Sequence, residues 1–95
     1  MGITFRVSSG RIEEFENGIR SRSYGQNIIA ANTDGKIVAG ITKDGRINEF
    51  ENGRQTRSYG QDAAGGIQVS GGVVTVQTKN GRSADYKSGS LYRNY

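Results

Sequence analysis

Residues 10–26 read GRIEEFENGIRSRSYGQ, and residues 45–61 read GRINEFENGRQTRSYGQ. The windows that open at Ser9 and Asp44 share 13 of 18 positions, so the chain contains a duplication. A third version, GRSADYKSGSLYRNY from Gly81, has drifted in its letters but keeps the glycines, an acid, an aromatic and the Arg-x-Tyr ending. Upstream, DGKIVAGITKDG at 34–45 aligns with SGGVVTVQTKNG at 70–81, so the repeating unit is about 36 residues long. The chain divides into unit 1 (1–26), unit 2 (27–61) and unit 3 (62–95). Unit 1 lacks its opening strand, because only Met-Gly precedes the segment that aligns with Ile37–Lys43.

Xaa-Gly pairs punctuate each unit: Ser9-Gly10, Asn17-Gly18, Asp34-Gly35, Asp44-Gly45, Asn52-Gly53, Asn80-Gly81 and Ser88-Gly89. Asn-Gly and Asp-Gly favour the two-residue hairpin turn with positive φ at both central positions, and the intervals between the pairs are rich in Ile, Val, Phe, Tyr and Thr. The spacing predicts an all-β chain of about eleven short antiparallel strands, near 3–8, 11–16, 19–24, 27–33, 36–43, 46–51, 54–59, 66–70, 73–79, 82–87 and 90–95. No glycine-free segment carries helical periodicity long enough for a helix.

Four short strands repeated at a fixed period resemble β-propeller blades, and TDGKIVAGITKDGRINEFENGR (33–54) is similar to the shortened blades of such families, although the Trp-Asp and Gly-His signatures of the commonest propellers are absent. Ile12 and Phe15, like Ile47 and Phe50, are three apart and so fall on opposite faces of a regular strand, as sheets covered on both sides require. A bulge between those residues would instead suit the alternative, a single β-sandwich or barrel. The resemblance implies that three blades need company, since propellers close with about four to eight. A homo-oligomer, most simply a dimer, is therefore expected, with terminal strands pairing across chains.

Composition points the same way. Ile, Val, Phe and Leu make up 19 of 95 residues, a thin core, and with neither Cys nor His the usual disulfide and zinc supports are missing. A net charge of +4 with interspersed signs favours encounters with anions but is far from a nucleic-acid tail. No run of apolar residues suits a secretory signal or a membrane span, so the cytoplasm is the default expectation.

Catalysis finds no support, and the expectation is a non-enzymatic module without cofactor: Glu13, Glu14, Glu16, Glu49 and Glu51 flank hairpin turns, and no His or Cys is present. Asn32, Asp34 and Asp44 are oxygen ligands without the calcium-loop spacing, and turn formation accounts for them. The candidate binding set is the one that recurs in all three units: Glu14, Glu49 and Asp85 at one position, Arg22, Arg57 and Arg93 at a second, Tyr24, Tyr59 and Tyr95 at a third. Such a set either ties neighbouring sheets together or presents donors, acceptors and a ring to a sugar. Lectin propellers use comparable sets, though with Trp, which this chain lacks. Carbohydrate is the leading ligand, ahead of a protein partner and of single-stranded nucleic acid, whose phosphates the interleaved glutamates would repel.

Overall fold

A computed structural model describes residues 3–94. Eleven strands form: β1 (Ile3–Ser8), β2 (Arg11–Glu16), β3 (Ile19–Tyr24), β4 (Ile28–Thr33), β5 (Val38–Thr42), β6 (Ile47–Glu51), β7 (Arg54–Tyr59), β8 (Ala63–Ser70), β9 (Val73–Thr78), β10 (Ser83–Lys87) and β11 (Ser90–Asn94). They sort into three antiparallel meanders and not into the two sheets of a sandwich: β1-β2-β3, β4-β5-β6-β7 and β8-β9-β10-β11. The first sheet has three strands, and its β1 plays the part of β5, since Phe5 stands opposite Glu14 as Ala39 stands opposite Glu49. Among the described residues no helix is long and apolar enough to cross a membrane.

The middle sheet is covered on both faces. Its Ala39, Ile41, Ile47 and Tyr59 share one core with Ala63, Ile67, Val74 and Val76 of the last sheet. Its Ile28 and Phe50 share a second core with Ile12 and Tyr24 of the first. Ile47 and Phe50 therefore do lie on opposite faces. A register irregularity sits between them, but the extra residue belongs to the neighbouring strand: Glu49 pairs with Arg57 and Phe50 with Gln55, leaving Thr56 over, while β6 runs regularly along β5. Ser21 and Tyr92 are the corresponding extra residues in β3 and β11. The hydroxyls of Ser21 and Thr56 donate to the Glu14 and Glu49 carbonyls, fastening the bulge in the first two units.

Each sheet is tied to the next by the same backbone bonds. Ile28 N–H donates to the Gly10 carbonyl at 2.9 Å and Ala63 N–H to that of Gly45 at 3.0 Å, while Lys43 and Lys79 N–H, donating to the Asn27 and Asp62 carbonyls, continue the β4–β5 and β8–β9 pairing within the following sheet. Asn32 adds a side-chain tie, its amide donating to the Ile67 carbonyl at 3.0 Å.

Two expectations from the sequence need correction. Positive φ at both turn positions holds at Ser9-Gly10, Asn17-Gly18, Asn52-Gly53 and Ser88-Gly89, but at Asp34-Gly35, Asp44-Gly45 and Asn80-Gly81 only the glycine has it. There side chains shape longer turns: one Asp34 oxygen accepts the Lys36 and Ile37 N–H groups, and the Thr42 and Thr78 hydroxyls accept those of Arg46 and Arg82. The second correction is β8, which begins at Ala63 and not near 66. Its Gly65 and Gly66 are taken up inside the strand as irregularities of register, which residues without a Cβ permit.

The two outer faces of the stack differ in character from the inner ones. Where the middle sheet presents Ala39, Ile41 and Ile47 to the last sheet, the last sheet has Thr75, Gln77 and Ser83 at the equivalent register positions. On the far side of the first sheet, Arg6 occupies the place of Gly40; its guanidinium lies 5.1 Å from the Phe15 ring centre and is 3.1 Å from Glu13. Polar outer faces of this kind cap a stack of repeats.

Candidate functional site

The recurring acid, Arg and Tyr residues converge because two residues along a strand share a face and the bulge sets Arg22 and Arg57 opposite the acids. Tyr24 donates its hydroxyl to Glu14, and Tyr59 does the same to Glu49. Arg22 Nε is 3.3 Å from Glu14 Oε1, and Arg57 Nε is 3.7 Å from Glu49 Oε1. Burial, the hydrogen bond to the carboxylate and its negative charge all push the two phenols above the usual tyrosine range.

Each of these sets is roofed by a hairpin of the following sheet. A Cβ at Gly53 would meet Arg22 Cδ at 2.8 Å, and a Cβ at Gly89 would meet Arg57 Cδ at 3.1 Å and Tyr59 Cδ2 at 3.4 Å. The rings interlock too: Tyr24 with Phe50, and Tyr59 with Tyr86, both at 4.9 Å between centroids. Glu14 and Arg22 line one cleft of about 170 Å³, and Glu49 and Arg57 line another of about 440 Å³. In unit 3, Asp85 accepts the Thr75 hydroxyl at 2.7 Å and stands opposite Arg93, with no later sheet over it among the described residues. Tyr95 lies outside the described residues. Asp34, considered above as a metal ligand, has both oxygens engaged by backbone N–H groups, one of them from Gly72 of the last sheet, which holds its carboxyl below the usual range.

Two further grooves, of about 550 and 370 Å³, lie between the same pairs of sheets. Most of their lining residues occupy equivalent repeat positions. The first is lined by Arg11, Gln26, Asn27, Asp44, Asn48 and Phe50; the second has Arg46, Gln61, Asp62, Asn80, Ala84 and Tyr86 in those places. Arg46 lines both, so the grooves run on from one another. Its guanidinium is held flat along its own sheet, Nε donating to the Ser58 hydroxyl at 3.2 Å and Nη1 to the Gly60 carbonyl at 3.2 Å. Arg11 repeats this with Ser23 and Gly25. A guanidinium carries five N–H donors in a rigid fork. Arg11 and Arg46 thus reach the grooves already oriented, with donors beyond those their own sheets use.

The sequence set and the grooves overlap at Tyr24 alone. Arg11, Arg46, Gln26 and Gln61 were legible as the unchanging G-R and Y-G-Q letters of the two closest copies. In sequence they stand beside turn glycines, whose conformational role already accounts for the shared letters. Comparison with known sequences adds one family: that described as Helicobacter pylori IceA2 protein matches residues 1–49 and, a second time, residues 43–95, which together take in the whole chain. No curated protein matches it.

Proposed function

The chain belongs to the Helicobacter pylori IceA2 family, and on that premise we propose that it is a non-enzymatic, propeller-like binding module that takes a carbohydrate in its grooves between sheets. The observation that carries this reading is the equivalence of the two grooves: the same arginine and glutamine positions recur at two successive joints, and each groove holds one aspartate, at Asp44 in the first and at Asp62 in the second. Sugar hydroxyls need donors and acceptors at fixed spacing, and oriented guanidinium groups beside Asn, Gln and Asp supply both. The half-buried Glu14 and the buried Glu49 are each committed to a tyrosine and an arginine of their own sheet, which suits a role in joining sheets better than proton transfer. The blade-like reading draws on the meander order within each sheet and on the passage from its last strand to the first strand of the next.

A glycan array probed with the wild-type chain and with Gln26→Ala/Gln61→Ala tests the proposal. Both side chains lie on exposed linkers, so the fold is expected to persist while binding falls by about tenfold or more, the loss of one or two hydrogen bonds. A wild-type chain that binds no glycan, or a variant that binds as well as wild type, would sink it.

A further inference from the structure

The grooves are not separate pockets. Arg11, Arg46 and Arg82 occupy one repeat position on three successive sheets, each directly after the glycine of its hairpin, and Arg46 is shared between the two grooves. Packed sheets lie about 10 Å apart, so the arginines recur at roughly that step along one side of the stack. A β-1,4-linked glycan advances by one disaccharide over a similar distance. The same grooves carry a carboxylate and an amide beside the arginines: Asp44 and Gln26 in the first, Asp62 and Gln61 in the second.

We infer, building on the carbohydrate reading above, that the ligand is a linear glycan bearing one acidic group per disaccharide, laid along the stack with successive carboxylates on Arg11, Arg46 and Arg82. Charge spacing selects this ligand. Each groove is lined by two arginines and one aspartate, a set that suits an anion every second sugar with hydroxyl donors in the interval. A nucleic-acid strand carries a charge on every nucleotide and would set phosphates against Asp44 and Asp62. The sites are linked by a rigid scaffold, so a ligand that reaches both grooves gains by effective concentration and not by any new kind of contact.

Calorimetric titration of the 95-residue chain with uronate-alternating oligosaccharides of two, four and six sugars, with uncharged chito-oligosaccharides of the same lengths and with a single-stranded oligonucleotide, tests this. The expected result is weak binding of the acidic disaccharide, a gain of about 100-fold once the ligand spans both grooves, weakening as salt is raised, and at least tenfold poorer binding of the uncharged series. Arg82→Gln, at an exposed position of the second groove, should abolish most of the gain with length, because only the Arg11–Arg46 groove is then whole, and Gln26→Ala should do the same by weakening the first groove. Equal affinity for charged and uncharged sugars would overturn the acidic ligand and leave groove binding standing. Affinity independent of length would overturn the shared row. An oligonucleotide bound more tightly than any sugar would overturn both this inference and the carbohydrate reading.

Discussion

Gly10, Gly45 and Gly81 hold the same place in three repeats, with φ of +79°, +84° and +82°. They differ in what lies beside them, which makes alanine at each a measurement of how firmly one sheet rests on the next. An alanine at such φ costs about 1–2 kcal/mol wherever it is placed. At Gly81 a Cβ meets nothing within 4 Å, so this strain is the whole effect. At Gly10 the Cβ would sit 3.3 Å from the Asn27 backbone nitrogen, a close contact that a small shift of the linker relieves. At Gly45 it would overlap the Gln61 carbonyl oxygen and lie 3.2 Å from its carbon, at the spot where Gly45 accepts the Ala63 N–H. Relief there means moving the linker off the hairpin, and overpacking of that kind adds about 1–3 kcal/mol. The expected losses are then about 1–2 kcal/mol for Gly81→Ala, slightly more for Gly10→Ala, and about 2–5 kcal/mol for Gly45→Ala. A domain of this length has about 5–14 kcal/mol in all. Thermal melts read the differences at roughly 4–8 °C per kcal/mol. Equal melting points for the three variants would refute the packing of linkers on hairpins, since the strain they share would then be the only cost.

The buried phenols give a pH prediction. Their folded pKa values lie above the ordinary tyrosine value near 10, so the unfolded chain releases these protons first; the stabilisation is whole below about pH 10 and is lost as pH rises beyond it. Ultraviolet titration should show the Tyr24 and Tyr59 phenolates appearing together with unfolding, and phenolates that form in the folded chain near pH 10 would contradict the burial. Tyr59→Phe leaves the nearly buried Glu49 carboxylate without its phenol donor and is expected to cost about 1–3 kcal/mol in denaturant unfolding, more than Tyr24→Phe, whose partner Glu14 is less buried. Light scattering at micromolar concentration checks the homo-oligomer, most simply a dimer, expected from the thin core and the edge strands β1 and β11. The mass of one chain at every concentration would refute it.

Strand positions were legible because their signals are local. A two-residue turn with positive φ asks for Asn-Gly or Ser-Gly, and β-rich intervals of six or so residues then have one way to run. Where side chains took over the turn, as Asp34, Thr42 and Thr78 do, the dipeptide alone misjudged the geometry, although it still marked the place. Gly65 and Gly66 look like a linker in sequence, yet pairing with β9 draws them into β8.

The functional set was only half legible for the opposite reason. Recurrence of Glu14, Arg22 and Tyr24 in unit 2 as Glu49, Arg57 and Tyr59 shows that the residues act together, but a repeated set looks the same whether it faces a ligand or the next sheet. The roof formed by Gly53 and Gly89 comes from residues some 30 positions downstream, and nothing in the set itself announces it. The same holds for the grooves, whose walls come from two units at once.

By itself, the sequence determined the repeat, the places of the turns and the strands between them apart from the start of β8, because each depends on dihedral preferences and alternation within a few residues. Tertiary structure decided which face of each sheet is buried, which outer faces are polar, and that Arg46 lines two grooves, with Arg11 in one and Arg82 in the other. Those depend on how one unit packs against another, and that is settled only when two distant segments compete for the same surface.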